Sequence, residues 1–384
     1  MRRLLGLGAP AWGGAGCAAG DDGRGLAPGS APLAAAAAGG HAEAAAALLE
    51  AGAPWNALDA EGVSAGERAL LAGHVEVAGA VMEAGVRAEL ILGALQRGGA
   101  AGGSAITREG RARRAAAGSS GSGSGAAAAV SADGSGGGSD CVNVDGGDGG
   151  GRNNGNSDSA TYLGRSVRYE GDKLLDSAED AVMMEWERPL MGVHADALCP
   201  DGAAPHDVLN VGFGMGIVDG YLQAKGVRSH TILEAHPGVL AEMDSAGWPD
   251  KPGVRVIRGR WQETISQVPD ASLSAVFFDT YGEYDSDMRE FHAHLPRILR
   301  PGGRYSFFNG LCPDNLFFQN VACQVVALEL QALGLSCDFA EVTLEAPDED
   351  TWKGVARPYF HSSTYYLPMA TFAGDDRNDN GRED

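Results

Sequence analysis

The sequence predicts an α/β protein with a mostly parallel sheet, preceded by a short all-α unit. Three observations predict it. From about residue 162 to 372, apolar runs alternate with helical stretches, the rhythm of strand–helix crossover units. One run, Val208-Leu-Asn-Val211, opens directly into Gly212-x-Gly214-x-Gly216, a strand that ends in a tight glycine turn. Ahead of all this, an alanine-rich stretch repeats itself at an offset of 33 residues, as from Gly40 to Gly73.

In chain order, residues 1–35 read as a disordered leader. The start, Met1-Arg-Arg-Leu-Leu5, is basic and free of acids until Asp21, which is also compatible with an organelle-targeting signal; the alanine-rich, arginine-poor continuation favours the leader. Residues 36–96 carry the repeat. Gly40-His41-x-Glu43 recurs as Gly73-His74-x-Glu76, and Leu48-Leu49-Glu50-Ala51-Gly52 recurs as Val81-Met82-Glu83-Ala84-Gly85. The period and the glycine-terminated helix resemble ankyrin repeats. Two copies fall short of the three usual for independent stability. Residues 97–160 are rich in Gly, Ala, Ser, Asp and Asn and read as a flexible linker. The basic run Arg108–Arg114 inside it reads as a nuclear-localisation patch or as plain solvated charge.

Residues 161–373 hold the α/β unit. Strands are expected near 207–211, 230–234, 254–258, 275–279 and 304–309, with helices near 215–225, 237–246, 286–299 and 314–333. Two further strands, near 338–345 and 363–368, have only a loop between them and suit an antiparallel hairpin at a sheet edge. Val182–Met191 reads as an apolar, Met-rich helix, and residues 374–384 as a disordered tail.

Composition narrows the function. The 384-residue chain carries a net charge of −22, which disfavours binding to nucleic-acid phosphates. The acidity suits a basic protein partner, or serves solubility alone. No run of 18 apolar residues is present, so no membrane-spanning helix is expected. The six cysteines, at 17, 141, 199, 312, 323 and 337, form neither C-x-x-C nor a zinc spacing, and no metal site is expected. Free thiols suit a reducing compartment, so a cytoplasmic or nuclear location is expected; separately, the chain is expected to be a monomer.

In an open parallel sheet, ligands gather at the carboxyl ends of the strands. Here those tips are Gly212–Gly216, Glu234-Ala-His236, Gly259-Arg-Trp261-Gln262, Asp279-Thr-Tyr281 and Asn309-Gly310, all expected to face one crevice. The pattern is Rossmann-like, but the third glycine comes one residue too early for the G-x-G-x-x-G of dinucleotide enzymes. A tight G-x-G-x-G turn suits a nucleoside cofactor without a pyrophosphate, such as S-adenosylmethionine. Glu234 is placed to accept from ribose hydroxyls, Trp261 or Gln262 to meet adenine, and Asp279 to face the reacting centre. Each has a bland alternative: a common turn, an exposed loop acid, a core tryptophan.

The strings Glu185-Trp-Glu187-x-Pro189-x-Met191, Val211-Gly-Phe-Gly-Met215, Gly259-x-Trp261, Asp279-Thr-Tyr281 and Leu299-x-Pro-Gly-Gly303 resemble guanidinoacetate N-methyltransferase. The fuller strings Asn210–Ile217, Glu234-Ala-His-Pro237, Gly259-Arg-Trp-Gln262 and Ser306-Phe-Phe-Asn-Gly310 resemble more closely the type IV protein arginine methyltransferases. That family modifies the internal δ-nitrogen of arginine and carries ankyrin-like repeats ahead of its catalytic domain. The resemblance is dense over 162–372 and loose over 40–95. It implies a class I methyltransferase fold with a Rossmann-like seven-stranded sheet. It implies S-adenosyl-L-methionine as cofactor, contacted by Tyr162, Met183, Met191, Phe213, Gly214, Met215, Gly216, Ile217, Glu234, Ala235, His236, Trp261, Gln262 and Asp279. Glu187 and Asp279 would meet the guanidinium as the catalytic pair. The two-glutamate hairpin loop of ordinary protein arginine methyltransferases is not found here. A ribosomal protein is the leading substrate by family resemblance. The alternatives are a small-molecule guanidinoacetate methyltransferase, and a repeat-based scaffold with an inactive methyltransferase fold.

Overall fold

The computed structural model describes residues 32–59, 61–103, 159–202, 205–283, 285–313 and 315–374. Most of the expected leader and linker, the basic run 108–114 and the tail lie outside the described residues. The chain divides into two compact units, Met1–Asp140 and Cys141–Asp384.

The described part of the first unit is four helices: α1 (Pro32–Ala38), α2 (Ala42–Glu50), α3 (Ala65–Leu71) and α4 (Val75–Gly103). The sequence repeat is a structural one. Gly40 and Gly73 both take positive φ, at 67° and 77°, where L side chains are strained. In each copy the next histidine N–H turns back to the helix just ended, His41 to the Ala36 carbonyl and His74 to that of Ala69. The His74 ring lies over Gly40, where a Cβ would meet it at 2.7 Å.

The copies then part. Gly52 ends α2 with φ 83°, but no stop occurs at Gly85, because α4 runs on to Gly103. Gly85 is there for space: a Cβ would meet the Trp55 ring at 2.7 Å. The linker expected from residue 97 therefore begins with helix.

Between the pairs, Asp59 Oδ1 accepts from the N–H groups of Glu61 and Val63, and Arg68 holds its other oxygen. Ser64 and Glu67 form a capping box on α3. Ser64→Ala is expected to cost about 1 kcal/mol; a urea midpoint for this unit that does not move would refute the cap's role.

The second unit opens with a helical turn, α5 (Ser159–Leu163), and a three-stranded antiparallel meander, β1 (Val167–Glu170), β2 (Lys173–Asp176) and β3 (Ala181–Met184). The Met-rich stretch expected as one helix is split. Val182–Met184 is strand, Glu185–Glu187 a 3₁₀ turn, and α6 (Arg188–Leu198) starts with Pro189 in its first turn. A proline there costs no hydrogen bond and sets the helix start.

The main sheet follows the expected rhythm. Its strands are β4 (Asp207–Val211), β5 (Ser229–Glu234), β6 (Val254–Arg258), β7 (Leu273–Phe278), β8 (Leu299–Phe307), β9 (Leu335–Thr343) and β10 (Thr364–Phe372). The order is β6-β5-β4-β7-β8-β10-β9. β4 to β8 are parallel, and β10 runs antiparallel to both β8 and β9.

Helices α7 (Ile217–Ala224), α8 (Pro237–Ser245), α9 (Trp261–Thr264), α10 (Asp285–His292), α11 (Leu295–Ile298) and α12 (Leu316–Ala332) fill the crossovers. The single helix expected over 286–299 is two, because Pro296 in the first turn of α11 cannot donate to the preceding turn.

β4 is buried at every residue, as a central strand covered on both faces must be. Strand alternation sorts the core into two layers: Val208, Ile232 and Phe277 pack on one face of the sheet, Leu209, Leu233 and Phe278 on the other. Fold class and strand positions therefore agree with the sequence reading.

Burial also makes the unit acid-sensitive. His292 is fully enclosed, its Nε2 2.9 Å from the Tyr305 hydroxyl, and burial followed by nearby Arg289 lowers its pKa to about 3. A depressed histidine binds its proton more readily unfolded, so its contribution is complete above about pH 6.5 and is lost as pH falls toward 3. His292→Phe is expected to flatten the fall in Tm between pH 6.5 and 4; parallel curves for variant and wild type would refute this.

Candidate active site

A cavity opens at the carboxyl ends of the parallel strands. Four of the five expected strand tips line it. They contribute Gly212, Phe213 and Gly214 from β4, Glu234 and Ala235 from β5, Gly259, Arg260 and Trp261 from β6, and Asp279, Thr280, Tyr281 and Glu283 from β7. Tyr162, Val182 and Met183 close it from the meander side. The fifth tip does not reach it. Asn309 is fully buried, and its side-chain amide donates to the Tyr366 carbonyl while its backbone N–H donates to the Tyr365 hydroxyl.

The glycine turn is built by close approach. Gly212, Gly214 and Gly216 all have positive φ. A Cβ on Gly212 would sit 1.9 Å from the Asp279 carbonyl oxygen, and one on Gly214 would sit 2.7 Å from Met183 Sδ. Backbone bonds fix the same junction: Gly212 N–H donates to the Leu233 carbonyl and Asp279 N–H to that of Val211, each at 2.9 Å.

Glu234 is 7 % exposed and serves the turn first. Its Oε2 accepts from Phe213 N–H at 2.8 Å, and its Oε1 from Ala235 and His236 N–H at 2.8 and 2.6 Å. Burial raises its pKa, and these three backbone bonds oppose that rise. A carboxylate has about four acceptor sites, so roughly one remains for a ligand hydroxyl rather than two.

Several expected contacts lie behind the cavity wall. Met191 is fully buried in the core on the inner face of α6. Met215 donates its N–H to Met183 Sδ at 3.2 Å, Gly216 caps α7, and Ile217 is buried. His236 caps α8 through the Gly238 N–H, and its ring lies 4.7 Å from that of Tyr162. Gln262 is also outside the lining, its amide donating to Glu283.

Glu187 is fully buried and not part of the lining. Its Oε1 accepts from Met184 N–H at 3.1 Å and from the Tyr359 hydroxyl. The structure thus puts Asp279 on the wall and Glu187 at the foot of β3, next to the lining strand residues Val182 and Met183. Trp261 lines the cavity but is only 3 % exposed, edge-on to Phe291 at 5.3 Å. It is a fixed wall, not an open stacking platform.

The sequence reading missed Glu283. Its carboxylate accepts from Trp261 Nε1 at 2.8 Å, Gln262 Nε2 at 2.8 Å and Thr280 Oγ1 at 2.7 Å. Burial raises its pKa, partly offset by those three donors. Nothing in the loop Tyr281-Gly-Glu283 marks it as a site residue except its distance of four positions from Asp279.

A family model for guanidinoacetate N-methyltransferase matches residues 153–320. Over 231 residues the chain is 36 % identical to protein arginine N-methyltransferase 2 of Saccharomyces cerevisiae, covering 57 % of this chain and 56 % of that protein. The protein of the same name from Yarrowia lipolytica is 39 % identical over 222 residues, covering 55 % and 47 %. The chain thus spans about half the length of these curated relatives.

Among solved structures, an S-adenosylmethionine-dependent methyltransferase from Mesorhizobium loti aligns at a TM-score of 0.34 and 15 % identity, covering 48 % of this chain and 97 % of that one. Spermidine synthase from Thermotoga maritima aligns at 0.36 and 12 %, covering 54 % and 72 %. The α/β unit is similar in sequence to the arginine N-methyltransferases, and the matched segment 153–320 contains the glycine turn, Glu187, Glu234, Asp279 and Glu283.

Proposed function

We propose that this chain transfers a methyl group from S-adenosyl-L-methionine to the internal, δ nitrogen of an arginine in a basic protein. The observation that carries the reading is the convergence of the glycine cradle, Glu234 and Asp279 on one cavity. The residues present fit the cofactor. Gly212 and Gly214 keep the turn's main chain bare at the cavity wall, where a Cβ would strike the Asp279 carbonyl and Met183 Sδ, and Glu234 keeps one acceptor site. S-adenosylmethionine, when bound, would supply an electrophilic methyl group, its S–CH3 bond breaking so that S-adenosylhomocysteine leaves.

What the chain must do is make guanidinium a nucleophile. Its lone pairs are delocalised and its pKa exceeds about 12. Carboxylates holding the fork by charge-assisted hydrogen bonds localise the positive charge on the held nitrogens. Density then gathers on the nitrogen aimed at the methyl group. Asp279, on the cavity wall, is the carboxylate that takes the proton this nitrogen sheds as the N–C bond forms. Glu187, which the family resemblance pairs with Asp279, lies behind the lining and bonded to Met184 and Tyr359, so it supplies the second hold only after a local rearrangement. The fixed cavity supplies the in-line approach.

The helical repeat unit would recruit the protein substrate in the manner of ankyrin-like repeats, and the net charge of −22 favours a basic one such as a ribosomal protein. A second reading, methylation of free guanidinoacetate, is favoured by the family model matched at 153–320. Incubation with labelled S-adenosylmethionine and either a basic protein extract or guanidinoacetate separates them. Label is expected in protein, on the δ nitrogen by mass spectrometry. Label only in creatine would overturn the protein reading, and label only on terminal nitrogens would overturn the δ assignment.

A further inference from the structure

The terminal hairpin has an oversized connection. β9 ends at Thr343 and β10 starts at Thr364, so residues 344–363 join them, far beyond the roughly 2–5 residues of an ordinary hairpin loop. Its neck is closed, Leu344 N–H donating to the Ser363 carbonyl at 2.8 Å. Its body lies against the meander. Ala356 N–H donates to the Glu179 carbonyl at 2.8 Å, and Lys173 Nζ donates to that of Lys353. The rings of Trp352, Tyr359 and Phe360 surround Trp186 at centroid distances of 6.1, 5.8 and 5.2 Å.

This loop reaches Glu187. The Tyr359 hydroxyl donates to Glu187 Oε1, the same oxygen that accepts Met184 N–H. The two bonds differ in kind. The Met184 bond is local and comes from main chain. The Tyr359 bond comes from a side chain 172 positions away, so a movement of the loop alone can break it. Tyr359 also has another partner at hand. The Trp186 Nε1 is buried with no hydrogen-bond partner among the described residues, and its ring adjoins that of Tyr359. A buried donor left unmet makes the present arrangement costly. An arrangement in which Trp186 donates to the Tyr359 oxygen removes that cost.

Resting on the proposed transfer to arginine, we infer that Tyr359 is a positioning residue that latches Glu187 behind the cavity wall until a guanidinium arrives. Glu187 then exchanges the phenol for the guanidinium, and Tyr359 turns to the Trp186 Nε1. The exchange is selective, because a guanidinium offers two parallel charged donors where the phenol offers one neutral donor. The second carboxylate is thus presented only when its substrate is there.

The test measures the affinity of N-acetyl-arginine methylamide for the full chain saturated with S-adenosylhomocysteine. Tyr359→Phe keeps the ring and removes the bond. It is expected to bind this compound about tenfold more tightly than wild type, since more of the protein is already unlatched. Its affinity for S-adenosylhomocysteine should stay within about twofold. In a Glu187→Gln background, where the bond no longer ends on a charge, the same substitution should change affinity by no more than about threefold. In wild type, the compound should alter tryptophan emission, and Trp186→Phe should abolish most of that change.

Equal or weaker binding by Tyr359→Phe, or an undiminished gain in the Glu187→Gln background, would overturn the inference. Unaltered wild-type emission would overturn it without any variant having to fold. The labelling incubation separates this from the reading beneath it. Label in protein arginine with any of these results overturns the latch alone, and label in no arginine overturns both.

Discussion

Asp279→Asn is expected to lower methyl transfer by roughly 10²–10⁴-fold while leaving S-adenosylhomocysteine affinity within a few-fold. The substitution is nearly isosteric. It keeps the backbone bond to Val211 and the carbonyl that packs under Gly212. On the proposed mechanism, what it removes is the charge that would oppose the guanidinium and the base that would accept the proton. An amide can still accept one hydrogen bond but cannot take up a proton near neutral pH. The effect should therefore appear in kcat, with little change in cofactor binding. Turnover within about threefold of wild type would remove Asp279 from the chemistry. A large loss of cofactor affinity would make it a binding group instead.

Gly212→Ala is expected to destabilise the α/β unit by roughly 3 kcal/mol or more and to abolish cofactor binding in whatever folds. Two penalties combine. The φ of 91° lies where alanine is strained, and the new Cβ would sit 1.9 Å from a backbone oxygen. A flexible side chain could move aside, but the Asp279 carbonyl belongs to the strand end that forms the cavity. Gly220, inside α7, is the control. A Cβ there meets nothing within 4 Å, and Ala favours helix over Gly by up to about 1 kcal/mol. Gly220→Ala should be neutral or stabilising. Urea midpoints for the two variants measure the contrast, and a Gly212→Ala protein melting within about 1 kcal/mol of wild type would refute the packing argument.

Much of the fold was legible because its signals are local. β4 and β7 read as near-continuous apolar runs, and all five parallel strands overlap their expected places, β8 starting five residues early at Leu299. The meander before them was not expected. β1 is mostly exposed, so it has no apolar run, and β3 shares its composition with a helix. The break at Pro296 was readable, since proline inside a helical pattern is a stop.

Met191 was readable too. Leu190, Met191, His194, Ala195 and Leu198 form one buried helical stripe, and that spacing marks core rather than cavity. Glu283 was not. A carboxylate in a short loop shows its role only when three donors from residues 261, 262 and 280 are seen to converge on it. The repeat was legible as far as its turns, whereas the difference between Gly52 and Gly85 depends on Trp55, which no periodicity reveals.

The junction at Gly212 has a consequence for how the protein tolerates change. The acid on the cavity wall and the turn that faces it are joined main chain to main chain, through Gly212 to Leu233 and Asp279 to Val211. Their mutual aim is set by atoms common to every residue type. Substitutions in the two side-chain layers should therefore erode melting temperature long before they erode alignment.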